Sequence, residues 1–139
     1  MRPLSIRFSD ELHERLRGYA ESVGQPISTV AQLAVREWLD MVEHPGIVFR
    51  DGPTGRRAAL AEGPDVWEVA SVLAQQEGRP EERLRSAAEH LGLSTRQVEG
   101  AAGYWASHKI EIDQRIAANT AAADRELAAW EERRALLGA

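Results

Sequence analysis

The sequence predicts a mainly α-helical chain with short β segments, and three observations carry that prediction. Leu4, Ile6 and Phe8 alternate with Pro3, Ser5 and Arg7, the period of a strand with one apolar and one polar face. Apolar-periodic runs suited to helices follow Ser9, Ser28 and Ser94, and glycines stand after the helical runs at Gly24 and Gly92. Between them, Ile47-Val48-Phe49 and Arg57-Ala58-Ala59-Leu60 flank a turn rich in Gly and Pro, the pattern of a small hairpin. These place three parts in order: residues 1–44, a strand and two helices; 45–108, a hairpin with three helices; and 109–139, a long C-terminal helical segment.

A lone strand at 3–8 leaves backbone groups unpaired on both edges, and no second strand follows for about forty residues. Pairing with the same strand of a second copy solves this and makes the chain a homodimer. Ser9 is a suitable N-cap for the first helix, with Asp10 and Glu11 in its first turn and Leu12, Leu16, Tyr19, Ala20 and Val23 on one face. Gly24 ends that helix. Gln25-Pro26-Ile27 turns the chain, and Ser28 is placed to cap a second helix running to about Val42. Val30, Leu33, Ala34, Val35, Trp38, Leu39, Met41 and Val42 give it an apolar face too broad for packing on one side.

Residues 3–42 resemble the ribbon-helix-helix fold of bacterial repressors and antitoxins, on the strength of the PLSIRF strand, the two serine-capped helices and the Gly24 turn. The resemblance implies an intermolecular two-stranded ribbon whose polar face enters the DNA major groove. By position, Ser5 and Arg7 then face base edges, and Arg2 reaches phosphate. The amides around Ser28 and Thr29, at a helix N-terminus, hold a phosphate. Pro3 departs from the pattern because it has no hydrogen-bonding side chain.

Composition sets bounds on these readings. The chain has 139 residues, 43% of them hydrophobic, and a formal net charge of −5. Residues 1–44 carry five Arg against seven Asp and Glu, so no general field draws this part to nucleic acid. DNA binding has to come from a local patch, Arg2 and Arg7 doubled by the dimer. There are no cysteines, which excludes disulfides and thiolate sites. No signal peptide or membrane-spanning apolar run is recognisable, and the expectation is a soluble cytoplasmic protein without membrane contact.

In the middle part, His44-Pro45-Gly46 breaks helical periodicity, and the hairpin follows. Its glycines do not match G-x-x-x-x-G-K-[ST], so they read as a turn and not a phosphate loop. Pro64 is expected at the first position of a helix that buries Val66, Ala70 and Leu73 and ends by Gly78. Pro80, Glu81 and Glu82 open the next helix, closed by Gly92-Leu93. Ser94 and Gln97 then form a capping box for a third, which buries Val98, Ala101, Ala102 and Trp105. The tight Gly-Leu-Ser connection reads as a helix-turn-helix. A DNA-reading version presents Thr95, Arg96, Gln97 and Gly100; a compact scaffold using the same turn is the favoured alternative. Gly100 and Gly103 weaken a helix unless another element packs closely against them. Residues 46–116 also resemble the domain-of-unknown-function family numbered 433, found in antitoxins, through HPGIVFRDG, PDVWEVASVLA, LSTRQVEGAAGYW and EIDQRI. That family's Gly-Thr-Arg is replaced here by Leu60-Ala61-Glu62-Gly63, so the role of that motif does not transfer.

From about Lys109 the chain reads helical, with Ile112, Ile116, Ala123, Leu127, Trp130 and Leu137 near one stripe and a weak point or break at Asn119-Thr120. The stripe is narrow after Ala121, which suits a helix that binds a partner's groove. Antitoxins of this general design resemble one another in a C-terminal segment that wraps a toxin, often a PIN-type, metal-dependent ribonuclease. The resemblance implies that Trp130 anchors the contact beside Leu127 and Leu137, and that Arg133 or Arg134 pairs with the toxin's acidic cluster. His13, His44, His90 and His108 show no metal-ligand spacing, and no nucleophile elbow or triad is present. The expectation is a non-enzymatic antitoxin that needs no cofactor or metal, with operator DNA and a cognate toxin as partners. The second reading is a stand-alone ribbon-helix-helix repressor whose C-terminal domain oligomerises or senses a signal.

Overall fold

The computed structural model describes residues 2–138, which form two compact units, one ending at residue 43 and the other beginning at residue 44. The first unit is a helical pair, α1 (Asp10–Val23) and α2 (Ile27–Glu43). Ser9 caps α1 by accepting a hydrogen bond from the Leu12 amide at 3.2 Å. Gly24 ends it in the left-handed region (φ 66°), a conformation that costs glycine nothing, and the Gln25 amide turns back to the Ala20 carbonyl at 3.0 Å. The second helix starts earlier than the serine signal implied. The Val30 amide bonds to the Pro26 carbonyl at 3.2 Å, so Ile27 is already helical and Ser28 lies inside the first turn. Residues 2–9 take no regular structure in the single chain. The strand expected at 3–8 has no partner edge here, and an isolated strand has nothing to hold its backbone groups.

The two helices contact each other but bury little apolar surface, chiefly Ala20 and Val30. Leu12, Tyr19, Val23, Leu33, Val35, Leu39, Met41 and Val42 all remain exposed, and Trp38 is 59% exposed. An apolar face this wide, left in water, is the one feature of the unit that helix packing within the chain does not explain.

The second unit has a core of its own. Strands β1 (Ile47–Arg50) and β2 (Arg57–Leu60) pair antiparallel with Ile47 opposite Leu60 and Arg50 opposite Arg57. Four helices follow: α3 (Val66–Ala74), α4 (Pro80–Leu91), α5 (Thr95–Ser107) and α6 (Lys109–Leu136). Ile47, Ala58, Leu60, Val66, Val69, Leu73, Ala87, Val98, Ala101, Tyr104 and Ile112 are buried together, with Phe49, Trp67, Leu84 and Ile116 packed against them. Ser94 and Gln97 exchange the two bonds of the capping box, at 3.1 and 2.9 Å. The Leu93 amide reaches the Ala88 carbonyl at 2.9 Å beyond Gly92, the six-to-one bond of a Schellman end.

Pro64 is not the first residue of α3. Its carbonyl accepts the Leu60 amide at 3.0 Å, which holds it in the turn leaving the hairpin, and Asp65 takes the N-cap with its amide donating to Glu68 at 2.9 Å. The helix also stops at Ala74, short of Gly78. At the other end, α6 runs unbroken for 28 residues, about 42 Å. Asn119-Thr120 does not interrupt it, and the Thr120 hydroxyl donates to the Ile116 carbonyl one turn back at 3.1 Å, the form in which a helix accommodates a threonine.

Candidate nucleic-acid and partner interfaces

Arg2, Ser5 and Arg7 are all exposed in the segment ahead of α1. Leu4 is 81% exposed, Ile6 58% and Phe8 37%, so the apolar side of the alternating stretch is largely uncovered. Ser28 and Thr29 are exposed in the first turn of α2. Their amides fall among the first few of a helix, which have no intrahelical acceptor. This geometry leaves them able to take an anion whichever residue caps the helix.

On α1, Arg17 bridges Glu14 at 2.7 Å and Glu21 at 2.8 Å. The hydrogen bond from Arg17 holds the Glu14 carboxyl below its ordinary pKa, and the same contacts raise the Arg17 guanidinium. These are solvated i,i+3 and i,i+4 pairs that satisfy Arg17 locally.

In the second unit the α4–Gly92–α5 connection has the tight turn of a helix-turn-helix, with Thr95 and Arg96 exposed. A cleft of about 310 Å³ opens beside α5, lined by Pro45, Gly46, Glu62, Arg96 and Gly100 among others. Gln97 lines it too, but its side chain is engaged in the cap. Gly100 and Gly103 have no atom within 4 Å of where a Cβ would stand, so no element of the chain packs against them. The close packing expected from their positions does not occur within the described residues.

Two arginines tie the hairpin down, Arg50 to the turn that leaves β2 and Arg57 to the N-cap of α3. Arg50 donates to the carbonyls of Leu60 and Gly63, the latter at 2.9 Å. Arg57 forms an ion pair with Asp65, whose carboxylate also accepts from the Trp67 indole at 3.2 Å. A smaller aromatic group joins the start of this unit to the α5–α6 junction. The His108 ring stacks on Tyr104 with centroids 4.0 Å apart, and His44 meets both edge-on. The i,i+4 spacing of Tyr104 and His108 was a visible signal for half of it; His44 came from sixty residues away. Among the described residues no group of three or more His, Asp or Glu is placed to hold a metal ion. No helix there is long and apolar enough to cross a membrane.

The proposed partner-binding residues lie on the outer part of α6. The inner part is anchored: Ile112 is buried, Ile116 joins the core, and the Trp105 indole donates to Asp113 at 2.8 Å. Beyond Ile116 only Ala122 and Ala129 are partly covered. Leu127 is 54% and Trp130 47% exposed, and Leu137 lies just past the helix end, also exposed. The Arg134 guanidinium sits over the Trp130 ring, 4.7 Å from its centroid, one turn along the helix. That contact holds Arg134 against the apolar stripe, while Arg133 points from the neighbouring edge of a groove lined by Ala123, Leu127, Ala129 and Trp130. Comparison with protein-family models, curated proteins and solved structures gives no match to this chain.

Proposed function

We propose that this chain is an antitoxin that represses its own operon through its N-terminal unit and neutralises a protein toxin through the outer half of α6. The observation that carries the first half is the bare apolar surface of α1 and α2, next to an alternating segment with no partner strand. A second copy supplies both needs at once: strand 3–8 pairs with its counterpart, and the apolar helix faces close on each other. Pairing brings two copies of Arg2, Ser5 and Arg7 onto one polar ribbon face. Arg7 then offers its planar fork to guanine acceptors, and the α2 N-termini at Ser28 and Thr29 flank the site for phosphate.

The second half rests on α6, whose outer part leaves the core as a rigid helix with Trp130 and Leu127 uncovered. A groove-binding helix of this kind presents its anchors at i, i+3 and i+7 or similar spacings, and the partner we favour is a PIN-type ribonuclease with an acidic centre for Arg133 or Arg134.

The test is growth of cells expressing the protein encoded by the adjacent gene, with and without this chain. Arrest by the neighbour, relief by the full chain and no relief by a Leu127→Glu/Trp130→Glu variant support the antitoxin reading. Substitution is preferable to truncation at residue 108, which removes Ile112 and Ile116 from the core. A well-expressed neighbour that causes no arrest leaves the stand-alone repressor as the better reading.

A further inference from the structure

At the tip of the hairpin, Gly52 and Gly55 exchange backbone hydrogen bonds, both 3.0 Å, around the two-residue turn Pro53-Thr54. Thr54 is exposed there, and its hydroxyl accepts from the Arg115 Nη1 of α6 at 2.8 Å. The hydroxyls of Ser9, Ser94, Ser22 and Thr120 serve their own helices, the first two as caps and the others by bonding a carbonyl of the preceding turn. Thr54 is held instead by a guanidinium 61 residues further along the chain. The charges around this contact are unevenly matched. Asp51 pairs with Arg56 at 3.3 Å and Asp65 pairs with Arg57, so these carboxylates are taken. Glu111, one turn before Arg115 on α6, accepts from the Tyr104 hydroxyl at 3.4 Å. Among the described residues no carboxylate pairs with Arg115, which is half-buried and rests on a neutral hydroxyl.

We propose that Thr54 is a phosphorylation site whose phosphate is received by Arg115, clasping the hairpin tip to α6. A Ser/Thr protein kinase supplies the γ-phosphoryl group of a nucleoside triphosphate. The Thr54 Oγ1 forms a bond to that phosphorus and the bond to the bridging β,γ-oxygen breaks. The nucleoside diphosphate leaves, and the hydroxyl proton passes to the kinase's base. The product carries a charge of about −1.5 to −2 at pH 7, with three strong acceptor oxygens on the group that Arg115 already touches. A neutral hydrogen bond thereby becomes a charge-assisted one, in the two-pronged geometry that a guanidinium offers phosphate. Arg56, two residues on in the same loop, adds a second positive charge beside it. Without the phosphate a single bond to a neutral hydroxyl joins Thr54 to α6, so the clasp is weak in one state and strong in the other.

Two measurements on the full chain test this. The first is phosphopeptide mapping of the chain isolated from its native host in growth, in stationary phase and under starvation. Phosphate on Thr54 in at least one condition is expected, and its absence in all of them overturns the proposal. The second places phosphothreonine at position 54 during synthesis and follows the phosphate by phosphorus NMR through a pH series. Its titration midpoint is expected about one unit lower than in an Arg115→Gln chain, because a guanidinium in contact favours the dianion. Arg115→Lys, which keeps the charge without the fork, is expected to fall between the two. Equal midpoints in the parent and Arg115→Gln chains, both folded by circular dichroism, overturn the proposal. A parent midpoint at or above about 6, the value of a free phosphomonoester, overturns it without recourse to any variant.

Discussion

Replacing Gly100 and Gly103 together by Ala is expected to stabilise the second unit, against the ordinary result of altering two helix residues at once. Both lie inside α5 with ordinary helical backbones, since neither is among the glycines at positive φ. A methyl group at either meets nothing within 4 Å. Alanine is favoured over glycine in a helix interior by about 0.8–1.0 kcal/mol, because glycine loses more backbone freedom on folding. Nothing lies within 4 Å of either Cβ position, so the two backbone gains sum to about 2 kcal/mol, a rise in Tm on the order of 10 °C for a unit of this size. Urea unfolding of the full chain followed by tryptophan emission and circular dichroism measures it. The same substitution at Gly52 has the opposite sign. A Cβ there falls 1.3 Å from the Arg57 Nη1 and displaces the guanidinium end of that side chain, which pairs through its Nε with Asp65; the two side chains are only 22% and 12% exposed. Breaking a fully buried pair removes about 3–5 kcal/mol and an exposed one about 0–1, so a loss of roughly 2 kcal/mol is expected here. Destabilisation by the Gly100/Gly103 pair would refute the bare face of α5. A Gly52→Ala change within about 0.5 kcal/mol of zero would show that the guanidinium end of Arg57 moves aside without loosening the hairpin from α3.

Arg7→Ala is expected to reduce affinity for the chain's own upstream DNA by about 10- to 100-fold and to flatten the preference over scrambled sequence, as one bidentate base contact is worth roughly 1–3 kcal/mol. Fluorescence anisotropy at fixed salt checks it, and unchanged discrimination removes the ribbon assignment. Ser94→Ala removes the cap of α5 and is expected to lower the second unit's stability by about 1 kcal/mol in urea titrations. Asp113 has its pKa depressed by hydrogen bonds from Lys109 and from the Trp105 indole. A depressed carboxylate contributes stability above its unfolded pKa, about 3.9, and loses it as pH falls through the folded value. Asp113→Asn is therefore expected to lower Tm at pH 7, with the difference from the parent shrinking below about pH 4 in a thermal-melt series.

Local signals in this chain were read correctly where the physical cause spans three or four residues. Ser9, Ser94 with Gln97, Gly24 and Gly92 act on amides and carbonyls within a turn of themselves, so their roles follow from residue type and spacing. The hairpin was legible from Ile47-Val48-Phe49, a run of strand formers, and the Gly- and Pro-rich connection that follows it. Errors came where two local signals competed. Pro64 and Asp65 both suit a helix start, and the Pro64 carbonyl, taken by the Leu60 amide at the end of the hairpin, decides between them. Pro26 and Ser28 compete in the same way, and the Pro26 carbonyl wins. Asn119-Thr120 is a local weak point that the helix carries through, with the Thr120 hydroxyl turned back onto the Ile116 carbonyl.

Of the candidate sites, residue types and positions were legible, while their surroundings were not. The sequence determined by itself that Trp130 lies on a long helix, and that capping residues begin and end the helices at their observed neighbourhoods. Those are consequences of chain period and of nearest-neighbour hydrogen bonding. It could not determine that Arg57 would reach Asp65 over Gly52, that His44 would join Tyr104 and His108, or that α6 would leave the core after Ile116. Each of these depends on which distant surfaces meet as the core of the second unit closes, and packing of that kind is set by shape and volume over the whole unit, beyond the reach of any local period.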